Sequence, residues 1–341
     1  MDVPSPPQEE PPSTPHTGFD PDTIPPPSPA PRTLIEWAVL VLNTASPLHK
    51  VAYTRHAAEA FSSGVVTEIG GGTWDGETWS KPDKETPPVW PPRLPEEQRV
   101  APGFEPKRGR GGTERSRIAL LHSLANIEQW AIDLAWDIVA RGPQLSARLM
   151  QTEEERTPLS PLPREYYADF VKVALDEAKH FTLLQRRMLE LGSHFGALPV
   201  HHALWESAVD TSDNLFARLS VIHLVHEARG LDVNPQTIRK FEAAGDELSV
   251  LSLRTIHLDE ITHVAAGHRW LVYLCQIHKP PLDPIQVFRS AVREKFCGRL
   301  KGPFNTADRA EAGLSSDWYK DLVGERASRN NARIIRVSES L

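Results

Sequence analysis

The sequence predicts an all-α protein: a four-helix bundle with an additional N-terminal helical pair and an irregular strap rich in Pro, Gly and Trp. Three observations predict it. Four long segments repeat apolar residues at three- and four-residue spacing, no strand-like alternation of comparable length interrupts them, and each of the four carries a carboxylate inside its apolar stripe.

Composition sets the frame. The 341 residues are 40% hydrophobic and 24% charged, which describes an ordinary globular chain able to bury a large core. The net charge of -7 argues against general nucleic-acid binding, which calls for a basic face. Two cysteines, Cys275 and Cys297, are too few for a disulfide framework or a thiolate metal site and fit a reducing compartment. The N-terminus has neither the basic stub nor the apolar run of a signal peptide, and no apolar stretch reaches membrane-spanning length. A cytoplasmic or nuclear location with no membrane partner is the expectation.

Residues 1–32 contain twelve prolines and almost no large apolar side chains, so they are expected to form a disordered tail. Residues 33–112 read as the helical pair (TLIEWAVLVLNTA and HKVAYTRHAAEAFSSG) followed by the strap (GGGTWDGETW, PPVWPPRLP, KRGRGG), packed on the bundle. Prolines stiffen the strap, and tryptophans are expected to pin it. Residues 113–325 form the main helical domain, with long helices at 114–140, 163–191, 202–229 and 245–276, a shorter one at 235–244, and a final amphipathic helix in PIQVFRSAVREKF. Residues 326–341 read as a flexible tail.

The chemistry depends on where acids fall relative to the apolar stripes, because a carboxylate in a stripe must be ligated, paired or protonated. In the first long helix Glu128 lies among Leu121, Leu124, Ala125, Ala131, Ile132 and Ala135, with Asp133 and Asp137 beside that stripe. In the second, Glu177 and His180 point inward one turn apart, while Lys172 and Lys179 lie off the stripe. The third brings Glu227 onto a face with His223, and the fourth repeats the pair as Glu260 and His263.

One inward Glu, a Glu-x-x-His, another inward Glu and a second Glu-x-x-His make up the ligand set of carboxylate-bridged dimetal bundles, the ferritin-like architecture. Glu128, Glu177, His180, Glu227, Glu260 and His263 are the expected metal ligands, with Glu128 and Glu227 as bridging or terminal ligands at the catalytic centre. Four carboxylates offset the charge of two divalent ions. The oxygen-rich, thiolate-free set suits two iron ions, with manganese or a mixed manganese–iron pair as alternatives. Each pair is preceded by aspartate, in DEAKH and DEITH. Asp176 and Asp259 are therefore expected to accept the distal N–H of the histidine on the opposite helix, and His223 to stand behind the ligands. His226, His257 and His268, and Trp130, Trp136, Trp205 and Trp270, are expected mainly to pack.

The stretches LLHSLANIEQWAIDLAWD, LDEAKHFTLLQRRMLELG, HLVHEARGLD, HLDEITHVAAGHRW and KGPFNTADRAEAGLSSDWY resemble, over residues 34–319, the ferritin-like family catalogued as domain of unknown function 455. The resemblance implies the same six metal ligands; at Asn126 this chain has asparagine where related sequences carry histidine. Wider ferritin-like relatives include oxygenases, oxidases, a transfer-RNA hydroxylase and iron-storage proteins. The leading expectation is a diiron oxidoreductase that activates dioxygen to oxidise or hydroxylate a small organic substrate, drawing on a separate electron donor. The alternatives are a ferroxidase or iron-handling protein, and a non-catalytic metal-stabilised scaffold.

Overall fold

A computed structural model describes residues 18–74, 79–95, 97–101, 104, 108–149 and 162–325. The chain is all-α apart from a two-residue antiparallel ribbon in the strap that pairs Thr73–Trp74 with Trp79–Ser80. Residues 1–17 and 326–341, the outer parts of the expected tails, lie outside the described residues.

Helices α1 (Leu34–Leu42) and α2 (Pro47–Ser62) form the N-terminal pair. Thr33 caps α1 by accepting the Glu36 N–H, and Ser46 with Pro47 opens α2, so each start combines a side-chain acceptor with a preset first turn. Both helices lie on the bundle, where Trp136 Nε1 donates to Thr54 Oγ1 at 3.0 Å. Residues 18–32 depart from the expected disordered tail: they pack along α2, with Arg55 paired to Asp22, the His56 ring on the Ile24 carbonyl, and Phe19 against Phe181. Proline supplies fixed φ angles there, which lowers the entropy that ordering must offset.

The bundle comprises α3 (Glu114–Leu149), α4 (Arg164–Glu190), the composite α6–α7 (Leu215–Ser220, a π-helical stretch Val221–His226, then Glu227–Ala243) and α8 (Glu247–Ile277). Three helices differ from the periodicity reading. Helix α3 runs past Arg141-Gly142-Pro143, and the strap packs closely on that proline, since a Cβ on Gly71 would lie 2.7 Å from the Pro143 ring. The expected third helix at 202–229 is split. Helix α5 (Ala203–Asp210) stops at a Thr-Ser-Asp-Asn turn, where Asn214 caps α6 through the Ala217 N–H at 3.0 Å. Helix α7 then absorbs the separate 235–244 helix. Pro235 leaves the Leu231 carbonyl without its helical donor, and Asn305 Nδ2 supplies one at 3.3 Å.

The C-terminal helices α9 (Pro284–Lys295), α10 (Thr306–Glu311) and α11 (Ser316–Tyr319) close over α7 and α8. Charge and polar contacts hold the strap: Arg93 reaches Asp133 at 2.6 Å and stacks on Trp130, while Glu85 accepts from Thr33 Oγ1 and Gly71 N; the side chains of Trp74 and Trp79 lie outside the described residues. Among the described residues no helix is long and apolar enough to cross a membrane.

Candidate metal centre

The six inward side chains meet between α3, α4, α7 and α8. Glu128, Glu177, His180 and Glu260 offer ligand atoms all within 4.8 Å of one another, and so do Glu177, Glu227, Glu260 and His263. Glu177 and Glu260 belong to both groups, and Glu128 and Glu227 to one each. The oxygens divide accordingly. Glu177 turns Oε2 to His180 Nδ1 at 3.2 Å and Oε1 to His263 Nδ1 at 3.0 Å. Glu260 turns Oε1 to His180 Nδ1 at 4.0 Å and Oε2 to His263 Nδ1 at 3.7 Å. Glu128 Oε2 lies 3.5 Å from His180 Nδ1, and the two imidazoles are 5.6 Å apart.

The surroundings of these groups fit cation ligation. Glu128, Glu177, His180, Glu260 and His263 are buried, and Glu227 is partly so. Among the described residues the site glutamates have histidines, and no lysine or arginine, as ion-pair partners. Glu177 Oε1, Glu260 Oε2 and His263 Nδ1 are inaccessible to solvent and make no well-formed hydrogen bond. The two oxygens lie 3.0 and 3.7 Å from His263 Nδ1 as ion pairs without hydrogen-bond geometry, an arrangement in which a cation could take the place of the missing bonds. An oxygen-rich set with one imidazole per half fits hard or borderline divalent ions.

Asp133 and Asp137, beside the same stripe, illustrate the other way to bury an acid. Asp133 lies between Lys50 and Arg93, and Asp137 between Arg218 and Arg141. The stripe placed them near the ligands, but burial among bases makes them part of the scaffold.

The protonation pattern reflects crowding. Burial, then the Glu177 charge, hold Glu128 well above the usual carboxylate range, and burial with Glu260 does the same to Glu227. Burial opposes ionisation of Glu177 too, but His263 and His180 pull it well below that range. Both imidazoles are raised well above their ordinary value: burial works against the charge, and Asp259, Glu128 and Glu177 at His180, with Glu177 and Asp176 at His263, outweigh it.

Behind the cluster, His180 Nε2 meets Asp259 Oδ2 at 2.9 Å and His263 Nε2 meets Asp176 Oδ2 at 3.4 Å, each aspartate standing on the opposite helix. Both Nδ1 atoms therefore face the cluster. Sequence reasoning missed the next layer. Lys179 Nζ reaches Asp176 at 3.0 Å and Asp259 at 2.7 Å, and Lys172 also reaches Asp176. Their spacing from Asp176, four residues before and three after, is the one signal that marked them.

His223 is buried near the cluster but outside both ligand groups. Its Nε2 has no hydrogen-bond partner, and burial with the Arg218 charge holds its pKa well below the ordinary value. His226 bonds to Ser207 Oγ at 3.0 Å, and burial holds it at about 4. His257 pairs with Asp308, and His268 stands edge-on to Trp318. Trp130 packs on Trp205, and Trp270 on Tyr166. Asn126 donates to the His201 carbonyl at 3.1 Å on the side of α3 away from Glu128.

Fold and site together define an all-α protein with a buried carboxylate–histidine cluster able to hold metal. The chain belongs to the family described as protein of unknown function DUF455, whose profile matches residues 43–320. It is also similar to an uncharacterized protein of Haemophilus influenzae, 34% identical over 226 residues that span 65% of this chain and 74% of the relative. No solved structure matches the chain.

Proposed function

We propose that the protein is a ferritin-like dimetal oxidoreductase in which Glu128, Glu177, His180, Glu227, Glu260 and His263 hold two iron ions, with manganese as the alternative metal. The sharing of Glu177 and Glu260 between the two four-ligand groups carries this reading: each turns one oxygen to each half, as bridging carboxylates do. Glu128 and Glu227 are then terminal ligands, one per ion.

When bound, such a pair supplies redox chemistry toward dioxygen and Lewis acidity. The chain's own residues do the rest. Asp259 and Asp176 fix the tautomer of His180 and His263 by accepting at Nε2, which leaves Nδ1 aimed at the centre. The burial of Glu128, Glu177, His180, Glu260 and His263 keeps bulk water from the cluster. The matching substrate class is a small organic molecule oxidised or hydroxylated at the expense of dioxygen and an external reductant.

The test is to load the protein anaerobically with ferrous ion, determine the metal content, then admit oxygen. About two ions per chain and oxygen uptake without mineral growth support the reading. Continued turnover of added iron into a mineral core reassigns the protein to iron handling, and less than about one tightly bound ion refutes the centre.

A further inference from the structure

The loop ahead of α10, part of the KGPFNTADRA stretch, plays no part in the metal centre, yet it builds a second recess. Residues 296–301 and Phe304 lie over the face of α7 turned away from Glu227, enclosing a cavity of about 400 Å³ lined also by Val225, His226, Arg229, Asp232 and Arg309. The lining is cationic in a chain whose net charge is -7. Arg309 is buried and holds Asp232, the cavity's one acid, through both oxygens at 2.9 and 2.7 Å. Asp232 also accepts the Asn305 N–H. That leaves Arg229, Arg299 and Lys301 with no carboxylate partner among the described residues. Arg229 donates to the Lys301 carbonyl at 3.2 Å, which ties helix to loop.

The frame around these cations is fixed. Leu300 forms a parallel bridge with Val323 and accepts the Gly324 N–H, Asn305 caps α10, and Arg309 lies over the Phe304 and Tyr319 rings. Three like charges lining one recess favour an anion that joins them. Guanidinium groups bind phosphate oxygens in a bidentate fork, while lysine adds a point charge. The Phe296 ring, edge-on to His226 at 5.6 Å, offers an apolar wall to whatever carries that anion. A recess suits a single small molecule, whereas a polyanion needs an extended basic stripe.

We propose that this cavity binds a phosphate monoester of a small organic molecule, with Arg229, Arg299 and Lys301 on the phosphate and Phe296 against the organic part. The probes are inorganic phosphate and phenyl phosphate, titrated calorimetrically into metal-free full-length protein so that the metal centre does not compete. Phenyl phosphate is expected to bind more tightly than inorganic phosphate. The double variant Arg299→Gln/Lys301→Gln should weaken it by at least about tenfold with melting temperature and metal uptake unchanged, since both side chains are exposed. Arg299→Lys/Lys301→Arg, which keeps the charge, should stay within about threefold of the parent. Unchanged affinity in the Gln variant, or no binding of phenyl phosphate at about 10 mM, overturns the assignment. A single-stranded oligonucleotide that outcompetes phenyl phosphate overturns the small-molecule class.

Discussion

Metal uptake by the cluster should be strongly proton-linked, and the structure gives the count. In the metal-free protein burial and a neighbouring glutamate push Glu128 and Glu227 well above the usual carboxylate range, which favours their protonated forms. His180 and His263 are raised well above their ordinary value and carry an extra proton each. Ligation requires all four groups to give one up, while the Nε2 protons stay shared with Asp259 and Asp176. One from each of Glu128, Glu227, His180 and His263 sets an upper bound of about four protons for two ions, or about two per ion.

The sign is fixed by the direction of the shifts. Groups with raised pKa hold protons in the range where metal must displace them, so acid weakens binding. Affinity for each ion should rise by up to about a hundredfold per pH unit while both its groups stay protonated, and less steeply once they titrate. Manganous ion is a suitable probe because it resists oxidation during titration. Calorimetry in buffers of different ionisation enthalpy reads the released protons directly between pH 6 and 8. Release of fewer than about two protons per pair, or affinity flat across that range, would refute the protonation pattern and the convergence behind it. The Glu128→Gln variant, which has no acidic proton there, should release about one fewer.

Three other perturbations have defined outcomes. Because Glu177 and Glu260 are common to both ligand groups, Glu177→Gln or Glu260→Gln should weaken both ions, whereas Glu128→Gln or Glu227→Gln should spare one; metal analysis after dialysis separates the cases. Lys179 holds both aspartates, so Lys179→Met should weaken both ions by roughly tenfold or more and shift the visible spectrum of the cobalt-loaded protein, with Lys179→Arg restoring much of both. Lys50 lies fully buried on Asp133, and burial pushes its pKa down to about 8 from 10.5. The unfolded chain therefore binds more protons there between those values, so stability of the native chain relative to Lys50→Met should grow by about 3 kcal/mol as pH rises through that window, measured by urea unfolding. A flat difference would show that Lys50 titrates as it does in water.

The positions of the clustered carboxylates were legible because burying an acid leaves a periodic mark. Glu128, Glu177 and Glu260 each occupy a stripe position where an aliphatic residue would otherwise stand, and the geometry brings them together. The cross-pairing of Asp176 and Asp259 was legible for a related reason: two DExxH repeats on facing helices put each aspartate behind the other's histidine. Partners supplied by exposed or distant chain were not legible. Lys179 looks like an ordinary solvated lysine until the fold puts Asp259 beside it. Asp137 finds Arg218 from a helix 81 residues away. The breaks were hidden as well, because Pro143 and Pro235 read as stops, whereas in the fold the strap packs on the Pro143 ring and Asn305 occupies the carbonyl that Pro235 frees.

The two halves of the cluster are not equivalent. Glu128 is buried on the long continuous helix α3, which α1, α2 and the strap cover from outside. Glu227 is only partly buried, and it directly succeeds the π-helical stretch Val221–His226. A π turn inserts a residue and rotates the rest of the helix about its axis, so Glu227 reaches the cluster by a local departure from regular geometry, of the kind often found where a helix bears a functional side chain. The approach is tight: a Cβ on Gly267 of α8 would lie 2.3 Å from the His223 carbonyl, so only glycine lets the π stretch come this close. Both halves have the same backing, His180 on Asp259 and His263 on Asp176 with Lys179 touching both aspartates, so the difference lies in the two lone glutamates and the helices that carry them. The half beside α7 combines the less buried carboxylate with the irregular backbone.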